Sequence, residues 1–391
     1  MSLAAQSSTE PAATESRGPV VLQVLPALEA GGVERGTVQI ARGLVDAGWT
    51  ALVASSGGPM THELNRAGGQ HIECELATKS PLKIRRNADR LAEIIEAHGV
   101  DLVHARSRAP AWSALYAARR TGRPFVTTFH SPYGDGFLKH WYNAVMAKGD
   151  AVIAISEFVY DHVRRNYGVG DDRLVMIHRG VDVDLFDPNR VSAERMIQLA
   201  NAWRLPDGGP VVMLPGRLTR WKGQAVLIEA LARLDRNDVT CILVGADQGR
   251  ERYRQELEDL AEKRGVRGMV RILDHCRDMS AAYMLADVVV SASIEPEGFG
   301  RVSAEAQAMG RPVIATDNGA SEEIIQEGRT GWLIPPRDPA ALARALEAAL
   351  ALDNEWREHM AGVARMNICN NFTVELMCAR TLAVYESVLR S

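Results

Sequence analysis

The sequence predicts an α/β protein built from two doubly wound parallel sheets in series, and three observations carry that prediction. Short runs rich in Val, Ile and Leu alternate with stretches of helical periodicity from residue 19 onward, the pattern of strand–helix–strand units that build a parallel sheet. A polar, irregular stretch at 188–207 interrupts the alternation, and a second series of the same kind begins at Pro210. At 391 residues the chain is long enough for two or three domains, each with its own core.

Composition narrows the classes of function. A hydrophobic share of 46% and a charged share of 24% are those of an ordinary globular protein, and a net charge of −4 gives no general pull toward nucleic acid. No run approaches the ~18 apolar residues of a spanning helix, so any membrane contact is expected to be peripheral and the chain cytoplasmic. Cys74, Cys241, Cys276, Cys369 and Cys378 are odd in number and scattered, without zinc spacing, and are expected to be reduced thiols. Residues 1–18 are Ala, Ser, Thr, Glu and Pro without an apolar centre; they are expected to be a disordered tail, not a signal peptide.

In chain order, the first domain is expected over 19–187. The apolar run 19–25 reads as a strand covered on both faces, followed by a turn at Gly31-Gly32 and a helix to about Ala47. That turn is either a plain turn or a cradle for an anion at the helix N-terminus. Strands follow at 51–55, 101–105, 124–129 and 151–156, separated by helical stretches at 91–98 and from about Ala111, with Ser156 placed to cap the next helix. His130 lies just past a strand end, on the edge where open parallel sheets bind ligands. Asp182-Val183-Asp184 has the form of a two-aspartate metal motif, but it leads out of the domain and reads as a loop.

The linker is expected at 188–207, with one helical patch around 193–202, and the second domain at 208–372. Its strands read at 211–217, 239–244, 270–273, 286–292 and 312–315, with helices at 225–234, 253–264, 302–309 and from about 318, and the tail 373–391 reads as a helix bracing the first domain. Arg217 and Lys222 flank one loop after a strand, so a guanidinium fork and an ammonium can reach the same phosphates.

The segment 294–305 joins a buried strand to a helix. Gly298 and Gly300 let backbone approach a ligand, and Glu297 and Glu305 frame the loop between them. Carboxylates flanking a glycine-rich anion cradle suit a ligand with both phosphates and hydroxyls, such as a sugar nucleotide. Taken alone, the same residues also fit an ordinary loop with an acid near a helix N-terminus.

Together these residues resemble the retaining glycosyltransferases of family 4, the match running from about residue 20 to 390. Its most specific piece is Glu297-Gly-Phe-Gly-Arg-Val-Ser-Ala-Glu305, which is similar to the family's E-x7-E motif. The resemblance implies the GT-B fold, two Rossmann-like domains facing each other across a cleft. It implies that Gly31 and Gly32 lie near the donor phosphates and that Arg217 and Lys222 neutralise the diphosphate. His130 and Glu297 would contact the transferred sugar, Phe299, Gly300, Arg301 and Val302 would offer backbone near sugar and phosphate, and Glu305 would bind the ribose. His130, Glu297, Arg217 and Lys222 are the expected catalytic set. The implied reaction moves a sugar from a nucleoside-diphosphate donor (UDP, GDP or ADP) to an acceptor hydroxyl with retention, without cofactor or obligatory metal. The chain departs from the family pattern at Ser131 after His130 and at Arg179 before Gly180.

The stretch 79–90 holds five basic residues against one acid, and Arg106 and Arg108 follow a strand end. It is either a solvated face or a docking face for an anionic membrane or a lipid-linked acceptor, which points toward cell-envelope glycan synthesis such as lipopolysaccharide. Alternatives are an enzyme that hydrolyses or epimerises the nucleotide sugar and a non-catalytic nucleotide-sugar-binding subunit. A dinucleotide oxidoreductase is disfavoured because Gly31-Gly32 is not part of a G-x-G-x-x-G fingerprint.

Overall fold

A computed structural model describes residues 17–134, 136–247 and 249–391, so all of the stretch 1–18 except Arg17 and Gly18 lies outside the described residues. Among the described residues, β1 (Val20–Val24), β2 (Thr50–Ser55), β3 (Gln70–Glu73), β4 (Leu102–Ala105), β5 (Phe125–Phe129), β6 (Ala151–Ala154) and β7 (Leu174–Met176) form one sheet, in the order β3-β2-β1-β4-β5-β6-β7. A second sheet holds β8 (Val211–Pro215), β9 (Thr240–Val244), β10 (Val270–Leu273), β11 (Val288–Ser291), β12 (Val313–Thr316) and β13 (Gly331–Ile334), in the order β10-β9-β8-β11-β12-β13. Every strand pairing in the two sheets is parallel.

Both sheets wind the same way. The chain runs outward from β1 to β3, then returns to lay β4 against the other side of β1; β8 to β11 repeats the move. Each sheet therefore has a switch point, β1/β4 in the first and β8/β11 in the second, where the connections at the carboxyl ends diverge and leave a crevice. Strands β1, β8 and β11 are buried along their whole length, which is why they read as continuous apolar runs.

Several elements were hidden in the sequence. Strand β3 carries Gln70, His71 and Glu73 at a half-exposed edge and offers no apolar alternation. The helix Pro81–His98 begins about three turns before the apolar residues that betray it, with Pro81 in its first turn, where the missing N–H costs nothing. Helices Thr61–Arg66, Phe137–Asn143, Pro339–Leu350 and Asn354–Asn371 complete the covering layers.

The stretch 188–207 is not a free tether. Its helix Ala193–Ala202 is fastened to the second domain by the guanidinium of Arg195, which donates to both carboxylate oxygens of Asp278 at 2.9 and 2.7 Å. The chain returns to the first domain at Val181, whose N–H donates to Phe372 O at 2.8 Å and whose carbonyl accepts from Val374 N at 3.1 Å. The final helix, Val374–Arg390, lies along helix Gly32–Asp46, and its buried Tyr385 hydroxyl meets His104 Nδ1 of β4 at 2.5 Å.

Candidate active site

The cleft lies between the carboxyl edges of the two sheets, and the switch points supply its walls. Gly31 and Gly32 follow β1 and open helix Gly32–Asp46, while Arg106 follows β4. Arg217 follows β8, and the Glu297 loop follows β11 and opens helix Arg301–Ala308. Gly31, Gly32, Arg217 and Arg301 line one cavity between the domains, together with Gly216, Gly245 and His275.

Helix chemistry prepares this cavity for an anion. Helices beginning after Ser156, Ser192, Asp278, Asp338, Asp353 and Thr373 each have a side-chain oxygen accepting from a first-turn N–H. Others, among them Pro81–His98, Arg108–Thr121 and Gln224–Leu231, have no such cap, and of the uncapped ones Gly32–Asp46 and Arg301–Ala308 open at Gly31 and Gly300 onto the cavity. Their first-turn N–H groups and the positive ends of their dipoles remain available to a ligand. Gly300 has φ +84°, a conformation costly for a residue with a Cβ. A Cβ on Gly298 would collide with the carbonyl oxygen of His130, so this glycine lets the second-domain loop reach the end of β5.

Glu297 and Lys222 are brought together as an ion pair, with each side chain about one-seventh exposed. Ser293 Oγ donates to the same carboxylate oxygen at 2.6 Å, and the Lys222 ammonium lies 4.2 Å from the centre of the Trp221 ring. Ile294 N donates to Trp221 O at 2.7 Å, tying the two loops into one unit. Arg217 is exposed, and its guanidinium has no hydrogen bond or ion pair among the described residues.

Glu305 is buried and already occupied. Arg301 donates to its Oε1 at 2.5 Å and Tyr283 OH to its Oε2 at 3.0 Å. Burial, with the Glu305 charge second, pushes the Tyr283 phenol well above its ordinary range, so it remains a donor. Phe299 turns away from the cavity; it is buried among His178 and Phe372, where its side chain seals the seam between the domains. Val302 is half-buried against the same core.

His130 gains its orientation from a residue not selected from the sequence. Arg179, half-buried after β7, donates to His130 Nδ1 at 2.8 Å and also to the carbonyl of Gly32. A guanidinium only donates, so Nδ1 is the acceptor and the proton of the neutral ring sits on Nε2. That Nε2 is buried and makes no hydrogen bond of good geometry among the described residues, and the backbone of Arg106 lies close enough to it to favour the protonated ring slightly. Burial first, and then the charges of Arg179 and Arg106, hold the imidazole well below its ordinary pKa, so it stays neutral at physiological pH. The hint in the sequence was the departure at Arg179 from the family pattern.

Among the described residues no group of three His, Cys, Asp or Glu side chains is gathered for a metal. Asp182 accepts from the backbone N–H groups of Asp184 and Leu185, and Asp184 from Arg190 at 2.7 Å, so both carboxylates serve the turn.

Comparison with known proteins agrees with this geometry. Residues 30–185 match the family described as Glycosyltransferase Family 4, and residues 197–365 that described as Glycosyl transferases group 1. A D-inositol 3-phosphate glycosyltransferase of Xylanimonas cellulosilytica is 33% identical over 289 residues, 68% of this chain and 67% of that protein. The crystal structure of a glycosyltransferase from Rickettsia africae superposes with a TM-score of 0.90 at 37% identity, over 96% of this chain and 99% of that one. Anabaena HepE in complex with UDP and glucose shares the fold at a TM-score of 0.83 and 24% identity, over 94% and 99% of the two chains. With both domains matched and the GT-B arrangement present, the chain belongs to the family 4, or group 1, glycosyltransferases.

Proposed function

We propose that the chain transfers a sugar from a nucleoside-diphosphate donor to an acceptor hydroxyl with retention of anomeric configuration and without a metal. The observation that carries this is the meeting, in one cavity, of two uncapped helix N-termini, one from each domain, with Arg217, while the Lys222–Glu297 pair stands next to it, the Lys222 chain against Gly216 of the cavity wall. Arg217 is free to take the diphosphate, and Lys222 needs only to share itself between Glu297 and the leaving phosphate. Cations and N–H groups fixed where charge develops supply the main lowering of the barrier. Glu297 accepts from hydroxyls of the transferred sugar, and the His130 Nε2–H donates to another. Glu305 receives the ribose hydroxyls once Arg301 swings toward the diphosphate. As the bond from the anomeric carbon to the phosphate oxygen breaks and the bond to the acceptor oxygen forms, the acceptor proton passes to the departing phosphate.

Retention follows if attack and departure share one face of the sugar, and anomeric NMR of the product reads it. UDP is the first donor to test because HepE holds UDP and glucose. Thermal shift of the purified chain with UDP, GDP, ADP and their glucose conjugates, with and without EDTA, is the direct experiment. Stabilisation by one nucleotide that survives EDTA supports the metal-free site. Loss of that shift in EDTA overturns metal independence, and no shift with any nucleotide overturns the donor site. Release of free sugar without acceptor, at the rate seen with one, assigns hydrolysis instead.

We further propose peripheral docking to an anionic membrane, in keeping with an envelope-glycan acceptor. The basic residues of 79–90 lie at the start of helix Pro81–His98, beside Trp112 and Trp141, which stack at 5.4 Å. Leu82, Phe137, Leu138 and Trp141 are 82%, 88%, 79% and 64% exposed around them. Apolar side chains ringed by cations match an anionic lipid surface. Co-sedimentation with phosphatidylglycerol vesicles but not phosphatidylcholine vesicles supports it; equal recovery with both overturns it.

A further inference from the structure

On the first-domain side of the cleft, Arg35, Arg106, Arg179 and Arg301 line one narrow chamber with His130. No Asp or Glu is among its lining residues. Three of the four have their charge accommodated. Arg301 pairs with Glu305, Arg179 spends both terminal nitrogens on Gly32 and His130, and Arg35 is exposed to water.

Arg106 has no such relief. It is 5% exposed, its Nε is buried without a partner, and its guanidinium has no hydrogen bond or ion pair among the described residues. It is nevertheless held firmly, since its N–H donates to Val24 O at 2.9 Å and fixes the residue at the switch point between β1 and β4. Helix Gly32–Asp46 passes close above it, where a Cβ on Gly36 would lie 3.1 Å from Nη2. A buried cation without a counter-charge is unfavourable, more so beside like charges. Burial, with the charges of Arg106 and Arg301 behind it, brings even Arg179 down to about 9.

We propose that this chamber binds a small oxyanion, the carboxylate or phosphate of an anionic acceptor, with Arg106 as its buried anchor. The inference rests on the transferase reading of the cleft and names the acceptor class for it. The acceptor is favoured over the donor by the share of each domain in the chamber. Arg106, His130 and Arg179 follow the carboxyl ends of β4, β5 and β7 in the first sheet and Arg35 lies on a first-domain helix, whereas Arg301 alone among the four arginines comes from the second domain, where Arg217, Lys222 and Glu297 also stand. The chamber adjoins a wider cavity along helix Gly32–Asp46, where Arg42 and Arg66 stand with the acids Glu63, Asp182 and Glu305, a mixed polar lining with room for the rest of a glycan. A guanidinium fork matches either oxyanion in a bidentate manner.

The test titrates inorganic phosphate and, separately, acetate into the full chain saturated with UDP, against chloride at matched ionic strength. Calorimetry of the wild type is expected to show one further anion site. Arg106→Met is expected to weaken that site at least tenfold while leaving the Kd for UDP unchanged. Arg35→Ala, a surface change that spares the interior, is expected to weaken it several-fold. Preference for phosphate or for acetate identifies the acceptor group. Absence of anion binding to the UDP-saturated chain, or equal binding by wild type and both variants, overturns the proposal and leaves the transferase reading standing. Failure of UDP, GDP and ADP alike to bind overturns that reading instead, and phosphate binding that Arg106→Met abolishes in the nucleotide-free chain then still marks the oxyanion site.

Discussion

The two walls of the cleft hold their charges differently. On the second-domain wall Lys222 is paired with Glu297 and Arg301 with Glu305, while the unpaired Arg217 is exposed. On the first-domain wall Arg106 is buried with no carboxylate beside it among the described residues, and Arg179 is spent on neutral acceptors. A paired or solvated cation is stable before a ligand arrives, whereas a buried unpaired one is completed by the ligand. On the proposed reading, the second wall is preformed for a substrate that brings its own charge balance of phosphates and hydroxyls. The first is left electrostatically open.

The sharpest way to break this comparison is to remove cations of the two kinds from the second wall. Arg217→Ala and Lys222→Ala should each lower kcat by about 10²–10³-fold, the range for losing one preorganised donor to a leaving oxyanion. Their effects on stability should differ. Arg217 has no hydrogen bond or ion pair among the described residues, so its loss should leave Tm unchanged. Lys222→Ala strands the shielded Glu297 carboxylate and should lower Tm by several degrees. Equal Tm values for the two variants, measured by calorimetry, would remove the pairing from the explanation.

A smaller effect, about tenfold on kcat, is expected from Arg179→Met, because it frees the His130 ring without removing it. The sign of the titration follows from the causes. Burial, Arg179 and Arg106 all lower the His130 pKa, so deleting one cation must raise it toward its ordinary value. NMR titration of the His130 ring protons should show a neutral ring throughout the neutral range in the wild type and an upward-shifted transition in the variant. A transition that stays put would mean that burial alone sets the charge state.

What the sequence showed and hid follows the same physics. Continuous apolar runs exposed β1, β8 and β11, because a strand covered on both faces has nothing polar to obscure it, but the strand order that makes the switch points is not written in them. Motif spacing brought Glu297, Glu305, Arg217 and Lys222 into view because they lie on two short stretches that follow strands of one sheet, Glu305 in the helix that the second one opens. Arg106 was read with the basic stretch as part of a solvated or docking face, and Arg179 only as a departure from the family pattern. Their significance is a matter of burial and of contacts separated by many residues, 147 between Arg179 and Gly32, and no local pattern records that. Phe299 fell inside a ligand motif, yet it is buried at the seam because a loop at a domain interface must seal one face while it offers the other.

The smallest expected effect concerns the fastening of the two walls. Glu323, on the second domain, accepts from the first-turn N–H groups of Glu157 at 2.8 Å and Phe158 at 3.0 Å, and from His178 Nε2 at 2.7 Å. Burial works to raise the Glu323 pKa, but the His178 bond and the two N–H groups outweigh it and leave the carboxyl below its ordinary value. A carboxylate so lowered contributes stability that is fully present above about pH 5 and is lost as pH falls through its folded value. Glu323→Gln should cost about 1–3 kcal/mol near neutrality, the scale of hydrogen bonds to a charged group. Its loss of Tm between pH 6 and pH 4 should be shallower than that of the wild type, since glutamine has no proton to gain. Parallel acid limbs for the two proteins would show that the cross-domain carboxylate does not hold the cleft together, and the fastening would then fall to the Phe299–Phe372 seam and the Val181 backbone bonds.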